Sequence, residues 1–236
     1  MKKLILASTS TLHQGEYLGY LLDELKNHFK GTNTITFIPY ARPGGISHQE
    51  YTEKSAAAFQ KIGIQVKGLH EYADPVAGIQ EAEAFFTGGG NTFLLLKQLY
   101  KGNQIQALKE KIEAGTPYLG CSAGSNIAGI SISTTNDMPI TYPPSFDSLG
   151  VIPMNINPHY LDPIKGSTHM GETRETRINE FHTLNAQPVI GLREGSWLEV
   201  KGQEIYLRGP LSAPWFNSGN AIVEIPTGEE ITHTRM

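Results

Sequence analysis

The chain has 236 residues and a formal net charge of -4, with 19 Lys plus Arg against 23 Asp plus Glu. Without a Lys/Arg cluster that balance argues against a nucleic-acid partner, and no apolar run reaches the length of a membrane span. The length predicts one sizeable core and a single domain over residues 1–236. The lone cysteine, Cys121, excludes an internal disulfide and fits a reducing cytoplasm.

Lys3–Ala7 is apolar but too short for a signal-peptide core, and predicts a buried strand ending in the loop residues Ser8-Thr9-Ser10. From Gly15 to Phe29 the residues Tyr17, Leu18, Leu21, Leu22, Leu25 and Phe29 recur at helical spacing, and Gly31 stops the pattern. Thr34–Ile38 predicts a strand ended by Pro39. The loop Ala41-Arg42-Pro43-Gly44-Gly45 leads to a helix from about Ser47 to Ile62, and Ile64–Leu69 to a third strand. Asp74-Pro75 has the form of a helix cap with proline at the first helical position, opening a helix to about Ala82. Ala84–Thr87 runs into Gly88-Gly89-Gly90, then a helix capped by Asn91 or Thr92. Asn103–Ala114 predicts another helix, and Pro117–Cys121 another strand. This alternation predicts an α/β fold, a mainly parallel sheet covered by helices, with ligands bound outside the carboxyl ends of its strands.

Further along, Ser131–Pro144 is polar, and Leu149–Ile156 is an apolar strand candidate leading into Asn157-Pro158-His159-Tyr160. A loop with Gly166, His169 and Gly171 precedes a charged helix from about Thr173 to Leu184. Val189–Leu192 and Trp197–Val200 flank Arg193-Glu194-Gly195-Ser196, while Glu204–Leu207 and Ala221–Ile225 read as antiparallel edge strands.

Tyr118–Asn126 reads as a strand end, a sharp turn and a helix start, with Ser122 at the apex. A hydroxyl on such a turn stands clear of the backbone, and side chains at Gly120 or Gly124 would collide with neighbouring elements. An ordinary structural turn has the same pattern, so Ser122 needs partners: a base, an acid to orient it, and donors for an oxyanion. Of eight histidines, His159 is the strongest base candidate, because it directly follows an apolar strand; the alternative is a satisfied loop histidine. His169 and His182 are weaker, and His13, His28, His48, His70 and His233 read as solvated helix or loop residues. Asp137 and Glu194 compete as the acid, and spacing leaves both open. Oxyanion donors would be the N–H of Ala123 and that of Gly89 or Gly90. A phosphate-cradling role for the glycine turn lacks a Walker lysine or a G-x-G-x-x-G pattern. Gly171–Arg177 mixes signs, as a solvated helix start with i,i+3 ion pairs does; alternatively, Arg174 clamps a carboxylate. No H-E-x-x-H or Cys/His cluster points to a metal.

Six blocks in order are Gly88–Phe93, Gly120-Cys121-Ser122-Ala123-Gly124, Thr135-Asn136-Asp137-Met138-Pro139, Ile156-Asn157-Pro158-His159, Gly171-Glu172-Thr173-Arg174-Glu175 and Glu194-Gly195. Together they resemble peptidase E, the alpha-aspartyl dipeptidase family of serine peptidases, nearly end to end. The resemblance implies a class I glutamine amidotransferase-like (flavodoxin-like) fold without cofactor, and cleavage of Asp-X dipeptides. It carries the nucleophile onto Ser122, the base onto His159 and the arginine that recognises the substrate aspartate onto Arg174. Asp137 and Glu194 both stay in the site, with a slight preference for Glu194 as the histidine's partner. Asn91 and Glu172 join Arg174 as substrate-binding candidates, Glu172 for the α-ammonium. The family's usual tryptophan before the serine is replaced by Cys121, which a strand would turn away from the apex. Rival readings are a cysteine-dependent relative, a cyanophycinase-like or general esterase activity, and a non-enzymatic binder of acidic peptides. The expected setting is a cytoplasmic monomer or homodimer acting on small peptides.

Overall fold

The computed structural model describes residues 1–231 except Lys165, Ser167 and His169. His169 and His233, both considered above, therefore lie outside the described residues. In chain order the strands are β1 (Lys3–Ala7), β2 (Thr34–Ile38), β3 (Gln65–Gly68), β4 (Phe85–Thr87), β5 (Tyr118–Cys121), β6 (Asn155–Pro158), β7 (Val189–Leu192), β8 (Trp197–Lys201), β9 (Glu204–Arg208), β10 (Ala213–Phe216) and β11 (Val223–Ile225). The helices are α1 (Leu22–His28), α2 (His48–Gln60), α3 (Pro75–Glu81), α4 (Thr92–Tyr100), α5 (Gln104–Glu113), the short α6 (Ala123–Asn126) and α7 (Arg174–His182).

The strands form two sheets among the described residues, ordered β3-β2-β4-β5-β1-β8-β9 and β11-β10-β7-β6. The block β3-β2-β4-β5-β1 is parallel throughout. Strands β2, β4 and β5, with sequences TITFI, FFT and YLGC, have almost no polar face and require cover on both sides. Alternation along β1 sends Leu4 and Leu6 into a cluster with α3, α4 and α5, and Ile5 and Ala7 into one with α1 and α2. Each large apolar side chain buried this way contributes about 1.5–3 kcal/mol. Helix α2 shows the matching periodicity: Tyr51, Ser55, Ala58 and Phe59 face the sheet, and Ser47 and Glu50 close a capping box at its start.

Antiparallel β8 pairs with β1 from Ala7 opposite Trp197 to Lys3 opposite Lys201, and β9 forms the edge. In the second sheet β6 and β7 are parallel, while β10 and β11 add antiparallel. The carboxyl ends of β1, β4, β5, β6 and β7 converge, and the site is built there. No helix among the described residues is long and apolar enough to cross a membrane.

Three expectations are corrected. The Gly15–Phe29 pattern becomes helical only at the Gly19–Leu21 turn, because Gln14 and Leu18 adopt positive φ and the Leu18 N–H turns back to Ser10 C=O. Leu149, Val151, Ile152 and Met154 are buried yet not in a strand. The N–H groups of residues 149–152 bond the carbonyls of Ile127, Ala128 and Gly129 instead of a neighbouring strand. The antiparallel edge strand expected near the C-terminus is present as Val223–Ile225, beside β10, a strand that the sequence pattern does not separate out. His28 is not solvated: as the last residue of α1 it is 7% exposed, and burial, with Lys3 nearby, lowers its pKa to about 3.

Candidate active site

The turn after β5 holds Ser122 at φ 53 and ψ -111, a conformation few non-glycine residues adopt. The chain tolerates it because neighbours fix it: Ser122 N–H donates to Ala7 C=O at 3.0 Å, and Ser125 Oγ donates to the same carbonyl at 2.6 Å. Gly120 and Gly124 permit the close packing, since a Cβ on Gly120 would strike the Gly124 backbone and one on Gly124 the Thr87 backbone. Cys121, one residue earlier, points the other way into the core between α1, α2 and the sheet. It is fully buried, and desolvation holds its thiol well above the usual range, which disfavours the nucleophilic thiolate.

His159 directly follows β6, also with a positive φ of 54. Its Nε2 lies 2.9 Å from Ser122 Oγ and its Nδ1 lies 2.6 Å from Glu194 Oε1. A carboxylate only accepts, so Nδ1 carries the proton and Nε2 is left to accept from the serine hydroxyl. Glu194 reaches the imidazole from the turn after β7; the two side chains are 49% and 38% exposed, respectively. Asp137 is elsewhere. Its Oδ2 accepts from Thr92 N–H at 2.7 Å and from Thr92 Oγ at 2.6 Å, tying the polar loop to the start of α4.

The glycine turn after β4 lies directly against Ser122. A Cβ built on Gly89 would stand 3.1 Å from Ser122 Cβ, and Gly90, at φ 145, presses on Ala41 with no room for a side chain. Among the described residues no acceptor meets the N–H groups of Gly89, Gly90 or Ala123, so all are free to bind an oxyanion. Ala123 is the first residue of α6, where intrahelical partners are absent. Asn91 has both ends of its carboxamide engaged: Oδ1 caps α4 at Leu94 N–H and Nδ2 donates to Met138 C=O. These bonds give its side chain a structural task and leave one amide N–H without a partner among them.

Arg174 opens α7, with Thr173 as its N-cap. It lines a cleft of about 510 Å³ together with Leu161, Ile164, Glu172 and Arg177. Desolvation and the neighbouring Arg177 lower its pKa, and the charge of Asp137 opposes that. The i,i+3 ion pairs expected at this helix start do not form among the described residues.

Sequence reading missed several residues that hold these groups. Asn136 and Asn157 bond each other, and Asn136 Nδ2 also donates to Pro158 C=O at 2.7 Å, so the polar loop braces the strand end that presents His159. Tyr51 donates to Gly89 C=O at 3.2 Å from beneath the glycine turn. Ser8 contacts the backbone on both sides of the site. Only for the two asparagines was there a local signal, since each sits inside a motif already singled out. Among the described residues no group of three or more His, Cys, Asp or Glu side chains could hold a metal ion.

A parallel α/β sheet with a hydroxyl on a strand-to-helix elbow, an imidazole against it and free amides beside it defines the class of serine hydrolases. Within that class the chain belongs to Peptidase family S51, whose family model matches residues 4–208, and it is a serine peptidase. It is 47% identical over 229 residues to "Peptidase E" of Streptomyces coelicolor, covering 97% of this chain and 93% of that one. It is 43% identical over 234 residues to the "Probable alpha-aspartyl dipeptidase" of Drosophila melanogaster, covering 98% and 96%. The crystal structure of a peptidase from an acI-B1 Actinobacterium shares the fold at a TM-score of 0.74 and 18% identity, over 98% of this chain and 97% of that one.

Proposed function

We propose that the chain hydrolyses dipeptides with an N-terminal aspartate, using Ser122 as nucleophile, His159 as general base and Glu194 as the acid that orients it. The observation that carries this reading is the unbroken Ser122–His159–Glu194 relay at 2.9 and 2.6 Å. Ser122 Oγ attacks the carbonyl carbon of the aspartyl residue as its proton passes to His159 Nε2. The oxyanion is held by the N–H of Ala123 with that of Gly89 or Gly90, and loss of one such donor costs about 3 kcal/mol. The tetrahedral intermediate collapses as His159 gives its proton to the leaving amine. Water then repeats the sequence on the acyl-enzyme and frees aspartate.

The aspartyl preference is supported by Arg174, which makes no ion pair among the described residues, and by the printed name of the Drosophila relative. Arg174 pairs with the substrate β-carboxylate, and Glu172, exposed in the same cleft, receives the α-ammonium. Asp137, in the polar loop bonded to Thr92, takes no part in the relay, and its charge acts on Arg174. The lone buried cysteine fits a cytoplasmic setting. The test is a panel of Asp-Leu, Asn-Leu, Glu-Leu and Ala-Leu with wild type and Arg174→Ala. A hydrogen-bonded charge pair in a partly exposed cleft is worth about 1.5–3 kcal/mol, so kcat/KM for Asp-Leu should fall roughly 10- to 150-fold. The Asn-Leu rate should hardly change. Equal losses on both substrates would discard the arginine's role in specificity.

A further inference from the structure

We propose that Ser8, at the carboxyl end of β1, is a positioning residue that sets His159 and Glu194 in register with Ser122; this rests on the catalytic relay proposed above. Strands β6 and β7 pair in parallel with Asn155 opposite Val189 and Asn157 opposite Gly191, and Asn155 N–H donates to Pro188 C=O at 2.8 Å. A parallel ladder repeats every two residues, so regular continuation would bring the His159 N–H to the Leu192 C=O. That bond is not made. Ser8 Oγ stands in the gap, accepting from His159 N–H at 2.9 Å and donating to Leu192 C=O at 2.7 Å. Tyr160 N–H takes the other side of the same carbonyl at 3.0 Å.

The inserted hydroxyl spreads the two strand ends and gives the His159 N–H a partner in the left-handed backbone that aims the imidazole at Ser122. Ser8 acts through its backbone as well. Its N–H donates to Ser196 C=O at 3.0 Å, on the turn that presents Glu194, whose far end is closed by Ser196 N–H on Arg193 C=O. The preceding carbonyl, Ala7, receives the Ser122 N–H. A single peptide step thus touches the backbone around all three members of the relay, and it joins the first sheet to the second.

Ser8 is fully buried, so without its hydroxyl the part-buried His159 N–H loses its partner. The cheapest relief is closure of the ladder onto Leu192, which draws His159 off Ser122. A displacement on the order of 1 Å at a reacting group costs on the order of 100-fold in rate.

The experiment compares wild type, Ser8→Ala, Ser8→Thr and Ser122→Ala by steady-state hydrolysis of Asp-Leu and by the rate of Ser122 labelling with a fluorophosphonate. Circular dichroism and thermal melting report folding. The expected result is a folded Ser8→Ala whose kcat and labelling rate both fall roughly 10- to 100-fold, with KM within about threefold. Ser8→Thr, which restores the hydroxyl, should recover most of kcat. A folded Ser8→Ala with wild-type kcat and labelling overturns the proposal, because a merely stabilising residue would move the melting temperature alone. Should Ser8→Ala not fold, Ser8→Gly, which also removes the hydroxyl, serves in its place, and wild-type rates there overturn the proposal equally. Labelling of the wild type without Asp-Leu turnover would count against the substrate reading, and the Ser8 comparison would still be decided by labelling.

Discussion

Replacing Glu194 by glutamine isolates the charge that faces His159. Glutamine can still accept from the Nδ1–H with its carbonyl oxygen, so the ring keeps its orientation across the 2.6 Å contact. What is lost is the attraction between the carboxylate and the imidazolium that forms as Ser122 gives up its proton. Two unit charges about 4 Å apart attract by about 1 kcal/mol in bulk water and by about 4 kcal/mol at the effective dielectric near a protein surface. With side chains 38% and 49% exposed, the pair falls between these limits. A loss of about 2–3 kcal/mol corresponds to a roughly 30- to 150-fold lower kcat, well short of the ~10,000-fold typical of a buried triad acid. The measurement is steady-state Asp-Leu hydrolysis at neutral pH and fixed ionic strength, with KM expected to stay nearly constant. Asp137→Asn is the control, since its carboxylate is engaged by Thr92; it should loosen the polar loop and raise KM while kcat stays within about tenfold. If Glu194→Gln kept kcat within threefold and Asp137→Asn lost two orders of magnitude, Asp137 would be the acid.

Cys121→Ala should cost about 1 kcal/mol of stability through lost packing and leave kcat within about twofold, whereas Ser122→Ala should abolish both turnover and fluorophosphonate labelling. Rapid loss of native activity to iodoacetamide would contradict the burial of the thiol. His28 predicts an acid-side weakness. Its folded pKa of about 3 lies below the ordinary value of 6.5, so between those values the unfolded chain binds more protons and stability falls as pH decreases. Linkage gives a loss of about 1.4 kcal/mol at pH 5.5 relative to pH 8, and His28→Gln should remove that slope in urea unfolding. An unchanged slope in the variant would assign the acid sensitivity to other groups.

Much of the parallel sheet is legible because its signals are local. Apolar runs such as Lys3–Ala7, Thr34–Ile38 and Pro117–Cys121 read as strands because each is buried on both faces. The caps Ser47, Asp74 and Asn91 mark helix starts through bonds to the next few backbone amides. The second sheet is less legible. Its strand β6 gains its identity from pairing with β7, more than 30 residues away in sequence. Leu149–Met154 shows the limit in the other direction, since buried apolar residues satisfy their amides on a turn and never become a strand.

The sequence by itself determined the reaction class. An elbow serine between glycines, a histidine behind a strand and a glycine turn are residue types whose chemistry is intrinsic, and their order along the chain carries the family. Choosing between Asp137 and Glu194 was beyond it, because both sit in polar turns with the same local texture. Only the tertiary structure separates them, by running β6 and β7 side by side so that their ends deliver His159 and Glu194 to one point while Asp137 is drawn to Thr92. Ser8 is the extreme case. Nothing about a serine after a first strand distinguishes it from a loop residue, and its place in the β6–β7 ladder exists only once residues 8, 159 and 192 are brought together.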